Sequence, residues 1–262
     1  MSLISDSQKK QKLRHKKSGN AQKAKIGKTQ SNKQFWDKEY RTSAHLNLSV
    51  NPSEEVIKFL KFVEKDYNGL PFEKDGTVLD LGCGNGRNLR IFVKELGMRG
   101  IGFDISSHAT KQARMALAGT HSFIKERSIA GDFSEIENKK VDIVLDLMSS
   151  HFLRKAEREH MLSEIVRVLK DEGFYLLKTF LRDGDLHTPR LLRDYPADEP
   201  GSYIHPQFGL FEYVWWEEDL IEFLSPYFDI KHIERSHQHK RNGEAFKRRF
   251  IAIILQKKRG IQ

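Results

Sequence analysis

Apolar residues follow two rhythms along this chain. Short β-branched and aliphatic runs at 77–81, 98–103, 141–148 and 174–180 alternate with stretches whose apolar residues stand three or four apart. The runs read as buried strands and the spaced stretches as amphipathic helices. Among the helices, Ser53 opens one with Val56, Leu60 and Val63 inward, and Ser106 or Ser107 caps another that runs to about Leu117. A third, over 154–169, turns Leu162, Ile165, Val166 and Leu169 to one face. With a further strand over 121–130, the alternation predicts an α/β fold with a parallel, doubly wound sheet.

The pattern breaks over 181–214, where four prolines and three glycines interrupt it. So long a break inside a compact domain is more often functional than idle. A helix over 216–224 follows, then two strands over 228–237 and 246–255. Asn242-Gly243 between them marks a tight turn, which predicts an antiparallel C-terminal hairpin.

Charge divides the 262 residues into two parts. The whole chain carries a net charge of +9, and residues 1–33 hold nine Lys, one Arg and one Asp. Residues 34–262 are therefore neutral, with 35 basic and 35 acidic side chains. The first 33 residues have almost no large apolar side chain and are predicted to be disordered. They are an arm for RNA contact or another polyanion, or else a solubilising tail. Residues 34–262 form the predicted domain. No apolar run is long enough for a membrane span, and the basic start lacks an apolar signal core. The single cysteine, Cys83, excludes an internal disulfide and suggests a reducing, cytoplasmic setting.

Candidate chemistry centres on Thr77-Val78-Leu79-Asp80-Leu81-Gly82-Cys83-Gly84-Asn85-Gly86-Arg87-Asn88. A strand runs into an acid, then three alternating glycines, then a helix start. Glycines there admit positive φ and let a ligand approach the main chain. The next strand ends at Asp104, 22 residues past Gly82, placed to meet ribose hydroxyls. The last spacing of the dinucleotide fingerprint G-x-G-x-x-G is missing, since one residue separates Gly84 from Gly86.

The stretch Asp-Leu-Gly-Cys-Gly-Asn-Gly-Arg-Asn resembles motif I of the class I S-adenosylmethionine-dependent methyltransferases. Its Gly-Arg-Asn ending is similar to the tellurite-resistance type. The resemblance implies a Rossmann-like, seven-stranded sheet closed by the antiparallel hairpin. It implies S-adenosylmethionine as cofactor, with Gly82 and Gly84 at the methionine end and Asp80 nearby, Asp104 at the ribose, and Asn85, Gly86 and Ile105 also among the cofactor-binding residues. Asp132 and Phe133 would take the adenine, and Leu147 and Met148 would flank the sulfonium. Phe35-Trp36-Asp37-Lys38-Glu39-Tyr40 resembles a segment that lies over the cofactor pocket, and it also reads as a short helix pinning its aromatics to the core.

His151, after the fourth strand, is the candidate catalytic base, with a capping or packing histidine as the plainer reading. His237-x-His239 lacks a nearby third ligand, so no metal site is expected. Lys247, Arg248 and Arg249 make a modest basic patch or ordinary strand-end charges. Cys83 is committed to the turn, so no cysteine remains for attack on a pyrimidine ring. Asn-Pro-Pro-Tyr is absent from the fourth strand, which disfavours methylation of exocyclic amines in nucleic acid. Three readings follow: methylation of an O, N or S atom of a small-molecule acceptor, modification of RNA or a ribosome-associated target docked by the tail, or a cofactor-binding partner protein without catalysis. The number of subunits stays open.

Overall fold

The computed structural model describes residues 31–261, apart from 44, 47, 70, 71, 73, 237–239, 242, 243 and 246. The first element, α1, spans Asn32–Thr42. Residues 32 and 33 of the expected tail belong to this helix. Residues 1–30 of the expected tail lie outside the described residues.

After α2 (Glu54–Tyr67) come β1 (Thr77–Leu81), a π-helical turn (Ile91–Glu95) and β2 (Arg99–Asp104). Then follow α3 (Ser107–Ala116), β3 (Ser122–Glu126), β4 (Val141–Leu147), α4 (Lys155–Val168) and β5 (Leu169–Phe180). The stretch read as a loop is built: it holds α5 (Thr188–Asp194) and the paired short strands β6 (Ser202–Ile204) and β7 (Phe211–Tyr213). Its prolines and glycines punctuate these short elements, which periodicity cannot register at three to seven residues. The chain closes with α6 (Glu217–Leu224), β8 (Phe228–Arg235), the two-residue strands β9 (Lys240–Arg241) and β10 (Glu244–Ala245), and β11 (Phe250–Lys257).

Seven strands form one sheet in the order β3-β2-β1-β4-β5-β11-β8. The first five are parallel, and β11 runs antiparallel to both β5 and β8. The expected mixed α/β sheet is thus present. The hairpin strands end short of the predicted turn, with β9 and β10 pairing between them. Asn242-Gly243 and the two histidines at 237 and 239 lie outside the described residues.

Side-chain alternation along the strands feeds two cores, one on each face. Leu79, Leu81, Val144, Tyr175 and Leu177 pack with Met161, Leu162 and Ile165 of α4. Val78, Ile143, Leu145, Phe174 and Leu176 pack with Val56, Phe59 and Val63 of α2. Lys257 is buried yet satisfied: its ammonium donates to the Val166 and Leu169 carbonyls at 2.6 and 2.9 Å, capping the C-terminal end of α4.

In this order the chain leaves β1 toward β2 on one side and β4 on the other. A crevice opens at such a switch point, beyond the carboxyl ends of the strands. The helix α1 lies across it.

Candidate active site

The turn after β1 is held by backbone bonds from Gly82 and Cys83 N–H to the Phe103 carbonyl, at 2.8 and 2.9 Å. Gly82 and Gly84 sit at φ 73° and 56°, and a Cβ on either would overlap the hydroxyl of Ser149 or of Tyr40 respectively. Only glycine fits this turn beneath its two neighbours. Asp104, at the end of β2, ties the turn to α3. One carboxylate oxygen accepts from Gly84 N–H and the other from Ser106 N–H, both at 2.8 Å.

At the end of β4, Met148 takes φ 68°, in the left-handed region that side chains rarely adopt. The bend that follows is held by Asp146, which accepts from Ser150 N–H at 3.1 Å and from the Tyr175 hydroxyl at 3.2 Å. Non-glycine residues in this region cost about 1–3 kcal/mol and gather at functional sites.

Between these two strand ends lies a cavity of about 350 Å³. Gly82, Gly84, Asn85, Asp104, Ile105, Leu147 and Met148 line it. Over it runs α1, presenting Asn32, Trp36 and Tyr40, one helical turn apart. The segment after α1 adds Leu46, Leu48 and Ser49. Two anchors hold this roof. Asp37 accepts from the Ser106 and Ser107 hydroxyls at 2.8 and 3.1 Å. Burial pushes its carboxyl up, but these bonds, the His108 N–H and Lys33 outweigh it and hold the pKa near about 2. The buried Glu39 accepts from the N–H groups of His45 and Leu46 at 3.0 and 3.1 Å, turning the chain back along the cavity.

Electrostatics concentrate at the glycine turn. Asp80 is buried directly behind it, and its Oδ2 has no hydrogen-bond partner. Burial and the nearby Asp104 charge raise its pKa to about 7, with Arg87 opposing. Burial likewise raises Asp104 to about 6, against the pull of its two backbone bonds. Arg87 lines the cavity, and Tyr40 has its hydroxyl pKa pushed up by burial and by Asp104. An unpaired buried carboxylate oxygen is costly. Asp80 does not itself line the cavity and bears on it only from behind the turn.

Several expected residues stand elsewhere. Gly86 faces Ala113 and Leu117 rather than the cavity. Phe133 is buried in the core at 5.5 Å from the Phe103 ring, and Asp132 is exposed and pairs with His160 at 2.9 Å. The wall at the end of β3 is made instead by Ser128 and Ile129. The third strand stops at Glu126, four residues short of the expected end, so the wall residues come earlier. His151 is also off the wall. Its ring packs against Phe152 and Phe180, with centroids at 4.0 and 4.8 Å, and its Nδ1 is buried without a partner. Burial, with help from Arg248, lowers its pKa to about 3, so it is neutral at ordinary pH. Such a ring is packing, not a base on the cavity wall.

Arg248 is no surface cation either. It binds Asp185 at 3.3 Å, donates to the Tyr203 hydroxyl at 2.5 Å and to the Thr188 hydroxyl at 3.1 Å, and lies over the Phe180 ring. This network fastens the 181–216 segment to the chain entering β11. Among the described residues, no group of three or more acidic, histidine or cysteine side chains is placed to hold a metal ion.

Residues 78–173 match the family described as a methyltransferase domain. Over 104 residues the chain is 30% identical to a carboxy-S-adenosyl-L-methionine synthase of Glaesserella parasuis serovar 5, covering 38% of this chain and 43% of that one. It thus spans less than half the length of the curated relatives it matches. In fold it is similar to an S-adenosylmethionine-dependent methyltransferase of Anabaena variabilis, with a TM-score of 0.60 at 17% identity, over 91% of this chain and 100% of that one. It is also similar to the Burkholderia thailandensis 1,6-didemethyltoxoflavin-N1-methyltransferase, solved with its acceptor and S-adenosylhomocysteine. That likeness has a TM-score of 0.58 at 15% identity, over 98% of this chain and 92% of that one. The match over 78–173 takes in β1, its glycine turn and the strands that flank them, so this stretch is similar to a methyltransferase domain and is carried on the fold that these structures share.

Proposed function

We propose that the chain is an S-adenosylmethionine-dependent methyltransferase acting on an O, N or S atom of a small-molecule acceptor. The observation that carries this is the roofed cavity at the β1–β4 switch point, with an unpaired buried carboxylate, Asp80, behind its glycine turn. Its volume of about 350 Å³ lies in the range of small-ligand sites.

S-adenosylmethionine brings its own electrophile, a methyl on a positively charged sulfur. What this chain supplies is binding, orientation and exclusion of water. Arg87 and the open face of the glycine turn would hold the amino-acid end, with the Asp80 carboxyl behind them. Asp104 would take the ribose, Ser128 and Ile129 would border the adenine, and Leu147 and Met148 would flank the sulfur. With Asp132, Phe133 and His151 off the wall, no role at the ligand is assigned to them. Trp36 and Tyr40 roof the site and keep water from it. No helix among the described residues is long and apolar enough to cross a membrane, and a reducing cytoplasmic setting suits the single buried cysteine.

The test is incubation of the full chain with methyl-labelled cofactor and cell extract, split into protein, RNA and small-molecule fractions. Label in the small-molecule fraction supports the proposal. A second reading, an RNA acceptor docked by residues 1–33, draws on the charge confined to that stretch. Removing residues 1–30, which leaves α1 intact, would abolish labelling of RNA if that reading holds. Cofactor binding without label in any fraction would favour a partner protein without catalysis.

A further inference from the structure

The two ends of the cavity differ in chemistry, and this bears on the acceptor, given the methyltransferase reading above. Charge gathers at the glycine turn, on Arg87 and Asp104. The opposite wall, at the end of β4, consists of Leu147, Met148, Ser149, Phe152 and Leu153, with Trp36 facing them from α1. None of these six ionises. Trp36 stands edge-on to Phe152 at 5.6 Å between centroids, with the planes at 77°.

Two physical consequences follow. First, no described side chain on this wall can take a proton from an acceptor as it attacks. His151 is neutral, but it is packed between Phe152 and Phe180 and does not line the cavity. The attacking atom must therefore already carry a free lone pair at neutral pH. Second, a carboxylate or phenolate acceptor would shed its water against apolar side chains with no cation to meet it, which is costly. The buried cation that touches this wall, Arg158, is committed to the Leu153 carbonyl and to Glu199, and Arg248 is committed to Asp185. Positive charge leaving the sulfur and arriving on the acceptor is, by contrast, well received by aromatic faces. The Trp36 and Phe152 rings, packed edge to face, also offer aromatic surface on which a flat molecule can lie.

We infer that the acceptor is an uncharged, planar ring compound methylated on a neutral nitrogen. The nitrogen lone pair forms the new bond to the methyl carbon. The carbon–sulfur bond breaks and its electron pair stays on sulfur as the neutral thioether. The positive charge passes to the nitrogen, whose proton, where it has one, leaves to water after transfer.

The experiment uses the full chain saturated with S-adenosylhomocysteine, and follows tryptophan fluorescence and heat on titration with benzimidazole, 2-naphthol and 2-naphthoate. Expected is benzimidazole binding at least about tenfold tighter than naphthoate. In Phe152→Ala that binding falls about tenfold while S-adenosylhomocysteine still binds, and Phe152→Tyr restores most of it. With saturating S-adenosylmethionine, N-methylbenzimidazole forms at a rate flat from about pH 8 to 9, above the titration of Asp80 and Asp104, because no base on this wall titrates. Faster methylation of naphthol or naphthoate would overturn the inference, as would a rising pH limb shared by all acceptors. So would S-adenosylhomocysteine binding with benzimidazole left unbound or unmethylated. Failure to bind S-adenosylhomocysteine would instead remove the methyltransferase reading beneath it.

Discussion

Gly82 and Gly84 show how narrowly single positions are set. Both have positive φ, and both pass beneath hydroxyls that a methyl group would strike. Gly82→Ala and Gly84→Ala carry about 1–2 kcal/mol of backbone penalty before any clash is added. Each is expected to weaken S-adenosylhomocysteine binding more than about tenfold by calorimetry. Alternation of glycine with small residues made this turn legible in the sequence, because backbone conformation there depends on the residue itself. Asp80 was legible as an acid before the turn, but not as a buried one. Its pKa of about 7 lies above the unfolded value of 3.8, so the folded state holds its proton longer. That contribution to stability is complete below about pH 4 and is lost as pH rises through about 7. Asp80→Asn should therefore gain on the wild type as pH rises from 5 to 8. Thermal melts of the ligand-free proteins measure this, at about 2–4 °C per kcal/mol. A difference in melting temperature that is constant with pH would contradict the assignment.

At the scale of elements, α1 matters most. Its inner face meets the cavity, and its buried Phe35 touches Phe208 of the 181–216 segment at 5.3 Å between centroids. That ring in turn stacks on His205 at 4.1 Å. Phe208→Ala removes its ring contacts with Phe35, His45 and His205, of which the pair with Phe35 is worth about 1 kcal/mol beyond its area. Hydrogen exchange over 32–42 should then speed up about fivefold, with S-adenosylhomocysteine leaving faster and the sheet amides unchanged. The spacing of Trp36 and Tyr40 predicted a shared helical face, and the family resemblance alone placed the segment over the pocket. Its partners did not show, because Phe208 stands more than 160 residues away in a segment without period. For the same reason Asp132 and Phe133 were misplaced. An acid before an aromatic looks the same in sequence whether the strand ends at Glu126 or Ala130, and only the tertiary turn decides.

For the whole molecule, the strand and helix rhythms sufficed to anticipate the parallel part of the sheet, since each element repeats one period over several turns. The charged network of Arg248, Asp185 and Tyr203 was invisible, being assembled from three elements far apart in the chain. Arg248→Ala leaves the buried Asp185 without its cation, a loss on the order of 3–5 kcal/mol, readable as a lower urea midpoint. Arg248→Lys should recover only part, having no fork to reach both Tyr203 and Thr188.

All of these readings rest on the cavity accepting the methyl donor. Calorimetric titration of the full chain with S-adenosylmethionine tests that most directly, with Asp104→Ala beside it. The account predicts saturable heat for the wild type and binding at least about tenfold weaker for the variant. No heat for the wild type, or undiminished binding by Asp104→Ala, would contradict it.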